Sequence, residues 1–407
     1  MNNSKRIDSL DSIRGLAAIS VVIFHCLVSF SIFYAAQEHK DYDNLFVKIM
    51  TNTPLHTIWA GPEAVLLFFI LSGFVLSLPF LSGKKVVYKD YLIKRFCRIY
   101  IPYLVIISIS TIAVMTLADF RNFDGLSEQF NNRWDHPVTF GAILTYIFML
   151  ESDYANVNGV AWSLVHEMRI SIFFPFIILF IMKNKWLKSL ILSVGICGVM
   201  AVGCKVLSMA IHNELAAFIA TSIGNTFYYC IFFIFGAILA QYRHEIMTVI
   251  QPLKFGRKLI LLVVAVLLYN FKWLVYDLFL VKFSKNALVS FGFDTVNDIV
   301  ASVGIVILLS VVLSSSKLDA FLNRKPLVWL GKVSYSLYLI HVIVIMLSAY
   351  YISAIVPMPV AIALVPLIAL PVAHLSYRYI ELPAISLGRK LTPKKNVTTK
   401  ESTEQVG

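Results

Sequence analysis

Ten apolar runs, each about as long as a bilayer is thick, leave this chain almost no soluble alternative. They fall at about 13–36, 62–82, 99–118, 161–182, 187–211, 216–240, 258–281, 298–316, 334–356 and 359–379, and a spanning helix needs about 20 residues. Inside hydrocarbon every backbone polar group must be bonded within the chain, so runs of this length are helices. A further run, Val138–Leu150, has 13 residues. It is too short to span and is expected as a re-entrant or interfacial segment. The expected fold is all-α: a polytopic membrane protein of about ten transmembrane helices with one such short segment.

Charge orients the runs. Only 14% of residues are charged, against about 25% in a soluble domain, and mean hydropathy is +0.77. The net charge of +12 sits in short patches between apolar runs, which is the pattern of orientation signals rather than of a nucleic-acid surface. Loop 83–98 carries Lys84, Lys85, Lys89, Lys94, Arg95 and Arg98, and 183–188, 241–258, 317–325 and the segment after 388 are also basic. If Val138–Leu150 does not span, all these patches share the side of the N-terminus, which the positive-inside rule makes cytoplasmic. If it spans, Lys183, Lys185 and Lys188 move outside and the pattern breaks. Both termini are therefore expected in the cytoplasm, with one transmembrane domain over 8–391 and a polar, disordered tail over 392–407. The first run contains a histidine and has no A-x-A cleavage site before Gln37, so it is expected to stay as a helix. Five cysteines (Cys26, Cys97, Cys197, Cys204, Cys230) show no CxxC spacing, and neither a disulfide framework nor a metal site is expected.

Within the runs, a few ionisable residues stand out. Arg14 and His25 are eleven residues apart, three helical turns and roughly 16 Å along one face. That spacing puts Arg14 at the cytoplasmic edge, within reach of Asp11 at i,i−3, and His25 near the midplane. An ionisable group at that depth faces protein or a cavity and is usually functional. For His25 the candidate roles are general base and transient acyl carrier. Arg95 and Arg98 share one face at the cytoplasmic start of the third run, where arginine forks suit phosphate. Trp162, Ser163, His166 and Glu167 are expected at the outer mouth of the fourth, with Glu167 paired or facing a cavity, Trp162 a belt residue or a sugar platform, and His166 near the interface. His341 lies about two turns above Lys332 and reads as a structural histidine or a second functional one. Glu63 reads as an aqueous loop charge.

Leu10-Asp11-Ser-Ile-Arg14-Gly15-Leu-Ala17-Ala18, continuing to Phe24-His25, resembles the opening motif of the acyltransferase-3 family of membrane O-acyltransferases. Phe68-Phe69-Ile-Leu-Ser72-Gly73-Phe74, Arg95-x-x-Arg98, Trp162-Ser163-Leu with Glu167 and Pro175, Leu330-Gly331 through Ser334-Tyr335-Ser336, Tyr338 and His341, and Glu381-Leu-Pro383 resemble further motifs of that family in order. The resemblance runs from about residue 8 to 391. It departs at Leu66, where relatives often have an acidic residue, and at Arg169-Ile170-Ser171, where they have aromatics; both bear on the acceptor. It is also the stand-alone form, without the C-terminal extracytoplasmic domain of many relatives.

The resemblance implies an acyl-coenzyme A donor, with acetyl-CoA first, used from the cytoplasmic side. The acceptor it implies is a hydroxyl of a cell-envelope or exported saccharide such as O-antigen or exopolysaccharide, and the location a bacterial inner membrane. Arg14, Arg95 and Arg98 would hold the nucleotide phosphates, His25 would act in transfer, and Glu167 would orient the acceptor. Direct transfer with His25 as base and a two-step route through an acyl-enzyme both remain open. The rival class is a transporter of a lipid-linked saccharide or small anion, for which an inverted repeat with broken helices would be expected; the two halves show no such match. A membrane glycosyltransferase is a further rival, and dependence on a coenzyme A thioester separates both from an acyltransferase.

Overall fold

The computed structural model describes residues 7–38, 44–83, 85–150, 154–279 and 287–393; all but two residues of the expected tail, and Lys84, lie outside them. The fold is all-α and polytopic. Nine helices among the described residues are long and apolar enough to cross a membrane. The principal elements are α1 (Asp8–Val28), α2 (Gly61–Leu81), α3 (Tyr88–Leu117), the short α4 (Phe140–Ile147), α5 (Trp162–Lys183), α6 (Trp186–Ala210), α7 (Glu214–Gln241), α8 (Phe255–Tyr269), α9 (Phe271–Phe279), α10 (Ala287–Leu313), α11 (Lys325–Leu347), α12 (Val365–Ser376) and α13 (Leu382–Leu391).

The run expected as one helix over 258–281 is two, α8 and α9, broken at Asn270. The Asn270 side chain donates to Thr57 Oγ1 at 2.7 Å and to the Val266 carbonyl at 2.8 Å, and Asn297 Oδ1 accepts from the Lys272 amide at 2.9 Å. Polar side chains thus take over hydrogen bonds that a continuous helix would have made itself, which is what makes a break tolerable at this depth. With α8 and α9 counted as one crossing there are ten. Arg14, near the start of the chain, and Arg389, near its end, line one cavity, so both ends of the domain lie on the same, basic side.

Lipid is as apolar as leucine, so helices here associate by close van der Waals packing at small residues. Two glycines show it. Gly15 of α1 meets the backbone of Leu330 and Gly331 of α11, and Gly331 in turn meets the backbone of Asp11, so a Cβ at either position has no room. The two helices run side by side in the same direction. Ten residues beyond each glycine stand His25 and His341, with ring centroids 5.2 Å apart. The span built on α11 is the central pillar, with 89% of its most apolar stretch buried, whereas α6 is peripheral at 6%.

The segment expected as re-entrant or interfacial is a short helix packed against α3. Tyr100 and Tyr103, near the middle of α3, donate to the carbonyls of Ile147 at 2.8 Å and Tyr146 at 2.7 Å. The eight-residue α4 therefore reaches down to mid-helix, and the chain turns back through Met149, whose φ is 52° and whose carbonyl accepts from Arg169 at 2.8 Å. Around it, residues 118–150 and 154–161 form a packed cap, with Phe130, Trp134, Val138 and Tyr146 buried. The cap is fastened to the end of α1: Ser127 donates to Val28 from its hydroxyl (2.7 Å) and to Ser29 from its amide (2.8 Å).

Candidate active site

α1 begins at Asp8 and stops at Val28, so His25 stands in its last turn. The run continues in apolar residues to 36, which hid the helix end; Phe30 is extended and bridges to Leu126 of the cap. The cap folds over the histidine, which is half-buried. Trp134 adopts φ 54°, a left-handed turn that costs a non-glycine residue about 1 kcal/mol or more. Beside that turn Arg133, 5% exposed, places Nη2 at 3.1 Å from His25 Nδ1. Burial pulls the Arg133 guanidinium down to about 10, so it is still a cation near neutrality and can only donate. His25 Nδ1 therefore accepts, and the ring proton of the neutral imidazole is on Nε2. Arg133 has no carboxylate partner among the described residues, an uncommon state for a buried cation.

His341 is fully buried. Its Nδ1 lies 3.1 Å from the Leu337 carbonyl, one turn back, so Nδ1 carries the proton and Nε2 the lone pair. That Nε2 has no partner among the described residues.

On the basic side lies a cavity of about 390 Å³, within the size range of ligand pockets. Five cations line it, Arg14, Arg95, Arg98, Lys332 and Arg389, against two carboxylates, Glu167 and Glu381. Arg14 is partly offset by Asp11, at 3.2 Å. A π-helical turn over Tyr377–Glu381 joins α12 to α13 and brings both Tyr377 and Glu381 to the wall; such turns are frequent at functional sites. Glu381 Oε2 accepts from Ser336 at 2.8 Å. At the inner end Ser163 and Tyr338 share a 2.7 Å hydrogen bond, and Phe68 packs edge-on against Tyr338. One turn farther along α11, His341 lies 6.1 Å from the Tyr338 ring, with His25 beyond it. Lys332, Tyr335, Tyr338 and His341 thus mark depth along one helix, roughly 13 Å from first to last.

The structure therefore brings together Arg14, Arg95, Arg98, Ser163 and Glu167 in one wall, with His25 and His341 as neighbours behind it. Three expectations need correction. Glu167 is not at an outer mouth: it lines the basic-side cavity and accepts from Ser72 at 3.0 Å, because the cap pushes the start of α5 inward. Trp162 is no open platform or belt residue; it is half-buried against Tyr229 and His166, at 5.2 and 5.9 Å. His166 is fully buried, 3.0 Å from Thr226, rather than interfacial. Sequence reasoning gave no role to Arg133, Lys332 or Arg389. Ser72 and Glu381 stood in recognisable motifs without a role.

A family model described as an acyltransferase domain, the acyltransferase-3 family, matches residues 7–377. No curated protein matches the chain, and no solved structure does. The chain belongs to the acyltransferase-3 family and is a multi-pass membrane acyltransferase.

Proposed function

We propose that the protein moves an acyl group, acetyl first, from coenzyme A on the cytoplasmic side of the bacterial inner membrane to a hydroxyl of a cell-envelope or exported saccharide. The observation that carries this reading is the convergence of Arg14, Arg95, Arg98, Lys332 and Arg389 on one cavity that opens at the basic side. Five cations against two carboxylates favour a polyanion, and guanidinium forks favour phosphate. Coenzyme A is such a polyanion on a long, thin arm. With its phosphates at the arginines, the arm runs beside α1 and α11 toward Tyr338, and its thioester meets the histidine pair once the Ser163–Tyr338 contact opens.

His25 is the catalytic group nearest the cap, from which side the saccharide approaches. Glu167, bonded to Ser72 on the donor side, orders the arginine-lined wall rather than the acceptor. The choice of a saccharide hydroxyl as acceptor rests on the family resemblance, and the cap on the side away from the basic cavity supports an approach from there.

The test supplies radiolabelled acetyl-CoA and envelope glycan to membranes holding wild type or His25→Ala at equal levels, and follows base-labile label. Label with wild type and loss with His25→Ala are expected. No label with wild type would contradict the reading and favour the transporter, the class in which broken helices such as α8–α9 are at home.

A further inference from the structure

We propose that His341, not His25, takes the proton from the acceptor hydroxyl, while His25 and Arg133 together hold the acyl carbonyl oxygen as it becomes an oxyanion. This rests on the acyl-transfer reading above and divides the labour within it.

Four ring nitrogens set the two roles. An arginine donates and never accepts, so the 3.1 Å contact from Arg133 leaves His25 Nδ1 without a proton and its lone pair engaged. The neutral ring then carries its proton on Nε2. Neither nitrogen of His25 can take a proton from an alcohol in this arrangement; its Nε2–H can only give a hydrogen bond. His341 has the opposite tautomer. Its Nδ1–H is spent on the Leu337 carbonyl, and its Nε2 keeps a lone pair that no described group uses. A buried nitrogen without a partner costs about 1–3 kcal/mol; His56 shows the same state elsewhere, and what marks His341 Nε2 is its ring's place between Tyr338 and His25. The rings stand 5.2 Å apart, so a donor and an acceptor of protons face one small region.

Arg133 completes the pattern. It is a buried cation with no carboxylate partner among the described residues, so the anion it suits is one that forms during reaction. The nearby alternatives for a base are engaged elsewhere. Glu167 accepts from Ser72 and Glu381 from Ser336, and both line the donor cavity. Tyr338 is engaged with Ser163.

The step balances. The hydroxyl oxygen bonds to the thioester carbonyl carbon as its proton passes to His341 Nε2. The carbonyl oxygen takes the negative charge and accepts from His25 Nε2–H and the Arg133 guanidinium. The C–S bond then breaks, the carbonyl re-forms, and the departing coenzyme A thiolate takes the proton back from His341. Products are the ester and free coenzyme A, with both histidines restored.

The two roles answer differently to glutamine, which can donate a hydrogen bond in place of an imidazole N–H but cannot act as a base near neutral pH. Transfer from radiolabelled acetyl-CoA is measured for wild type, His25→Gln and His341→Gln, with the KM for acetyl-CoA as a check that the cavity is intact. His25→Gln is expected to keep kcat within about tenfold of wild type, since a donor remains. His341→Gln is expected to lose about 10²–10⁴-fold in kcat at unchanged KM, the usual worth of general base catalysis. Added imidazoles should restore His341→Gly in proportion to their basicity. The reverse ranking, equal losses at both positions, or rescue indifferent to basicity would overturn the proposal while label in the wild type left the acyl-transfer reading standing. No transfer by wild type would remove that reading and this one together.

Discussion

Two groups of buried and half-buried polar side chains flank the outer half of α1, and they differ in how charge is balanced. On one side are Arg133, His25 and His341. On the other, reached through Phe24 and Trp59, are His56, Glu63 and Trp273. The second group carries its own carboxylate. Glu63 is 2% exposed and accepts from Trp273 Nε1 at 2.9 Å, with His56 Nε2 at 3.8 Å. His56 is wedged between the rings of Trp59 and Trp273, at 4.6 and 4.3 Å. The carboxylate expected as an aqueous loop charge is thus inside, beside the break between α8 and α9, with a cation-capable ring and an indole N–H around it. The first group has a cation without a carboxylate among the described residues, whereas ring nitrogens without a hydrogen-bond partner occur in both groups, at His341 Nε2 and at both nitrogens of His56. Burial of ionisable groups alone does not mark a reaction centre. What separates the two is whether the protein itself supplies the counter-charge.

Arg133→Met should break that contrast most sharply. It removes the cation and the donor that fix His25, and a loss of about 10²–10³ in kcat is expected, at unchanged KM for acetyl-CoA, as for a lost oxyanion donor. Arg133→Met with full activity would make the contact with His25 structural.

Glu63→Ala tests the carboxylate-bearing group by stability. It removes the acceptor of the Trp273 N–H, at about 1–3 kcal/mol for a buried group left unpaired. A lower inactivation temperature in detergent is expected, with kcat per folded molecule unchanged. Loss of kcat without loss of stability would mean that this group also takes part in the reaction.

Arg389→Ala bears on the donor cavity. One charge-assisted hydrogen bond is worth about 1.5–3 kcal/mol, so KM for acetyl-CoA should rise roughly 10–100-fold while kcat holds. A fall in kcat alone would move Arg389 out of donor binding. Tyr338→Phe is the mildest change. It removes the 2.7 Å contact with Ser163, worth about 1 kcal/mol, and should alter transfer only a few-fold; a complete loss would make the Tyr338 hydroxyl a reacting group.

Much of the site is legible along the chain, where the signal is local. Arg14 and His25 share a helix, as do Arg95 and Arg98, and their spacings alone align them. Even the second histidine has a linear trace: Gly15 precedes His25 by ten residues and Gly331 precedes His341 by ten, the register of two helices packed in parallel at those glycines. The short run at 138–150 is legible from its length. Arg133 is not, because what brings it to His25 is a left-handed turn at Trp134 and a cap pinned by Ser127, neither of which has a periodic signature. Lys332 and Arg389 read as topology charges because only the packing of the two ends of the domain makes them neighbours. Asn270 is easily passed over because apolar residues continue on both sides of it, and hydropathy averages across a single polar residue. Glu63 and Glu167 are misplaced for a common reason: depth is counted from the ends of apolar runs, while cap and loop residues fold down over those ends.

On the proposed reading the donor binds in one place and reacts in another. Titration of purified wild type, His25→Ala and the Arg95→Ala/Arg98→Ala double variant with acetyl-CoA tests that separation most directly. Wild type and His25→Ala should bind with the same Kd, and the double variant should lose about 100-fold or more, from two charge-assisted contacts. Equal binding by all three, or loss confined to His25→Ala, would contradict the assignment of the cation-lined cavity to the donor.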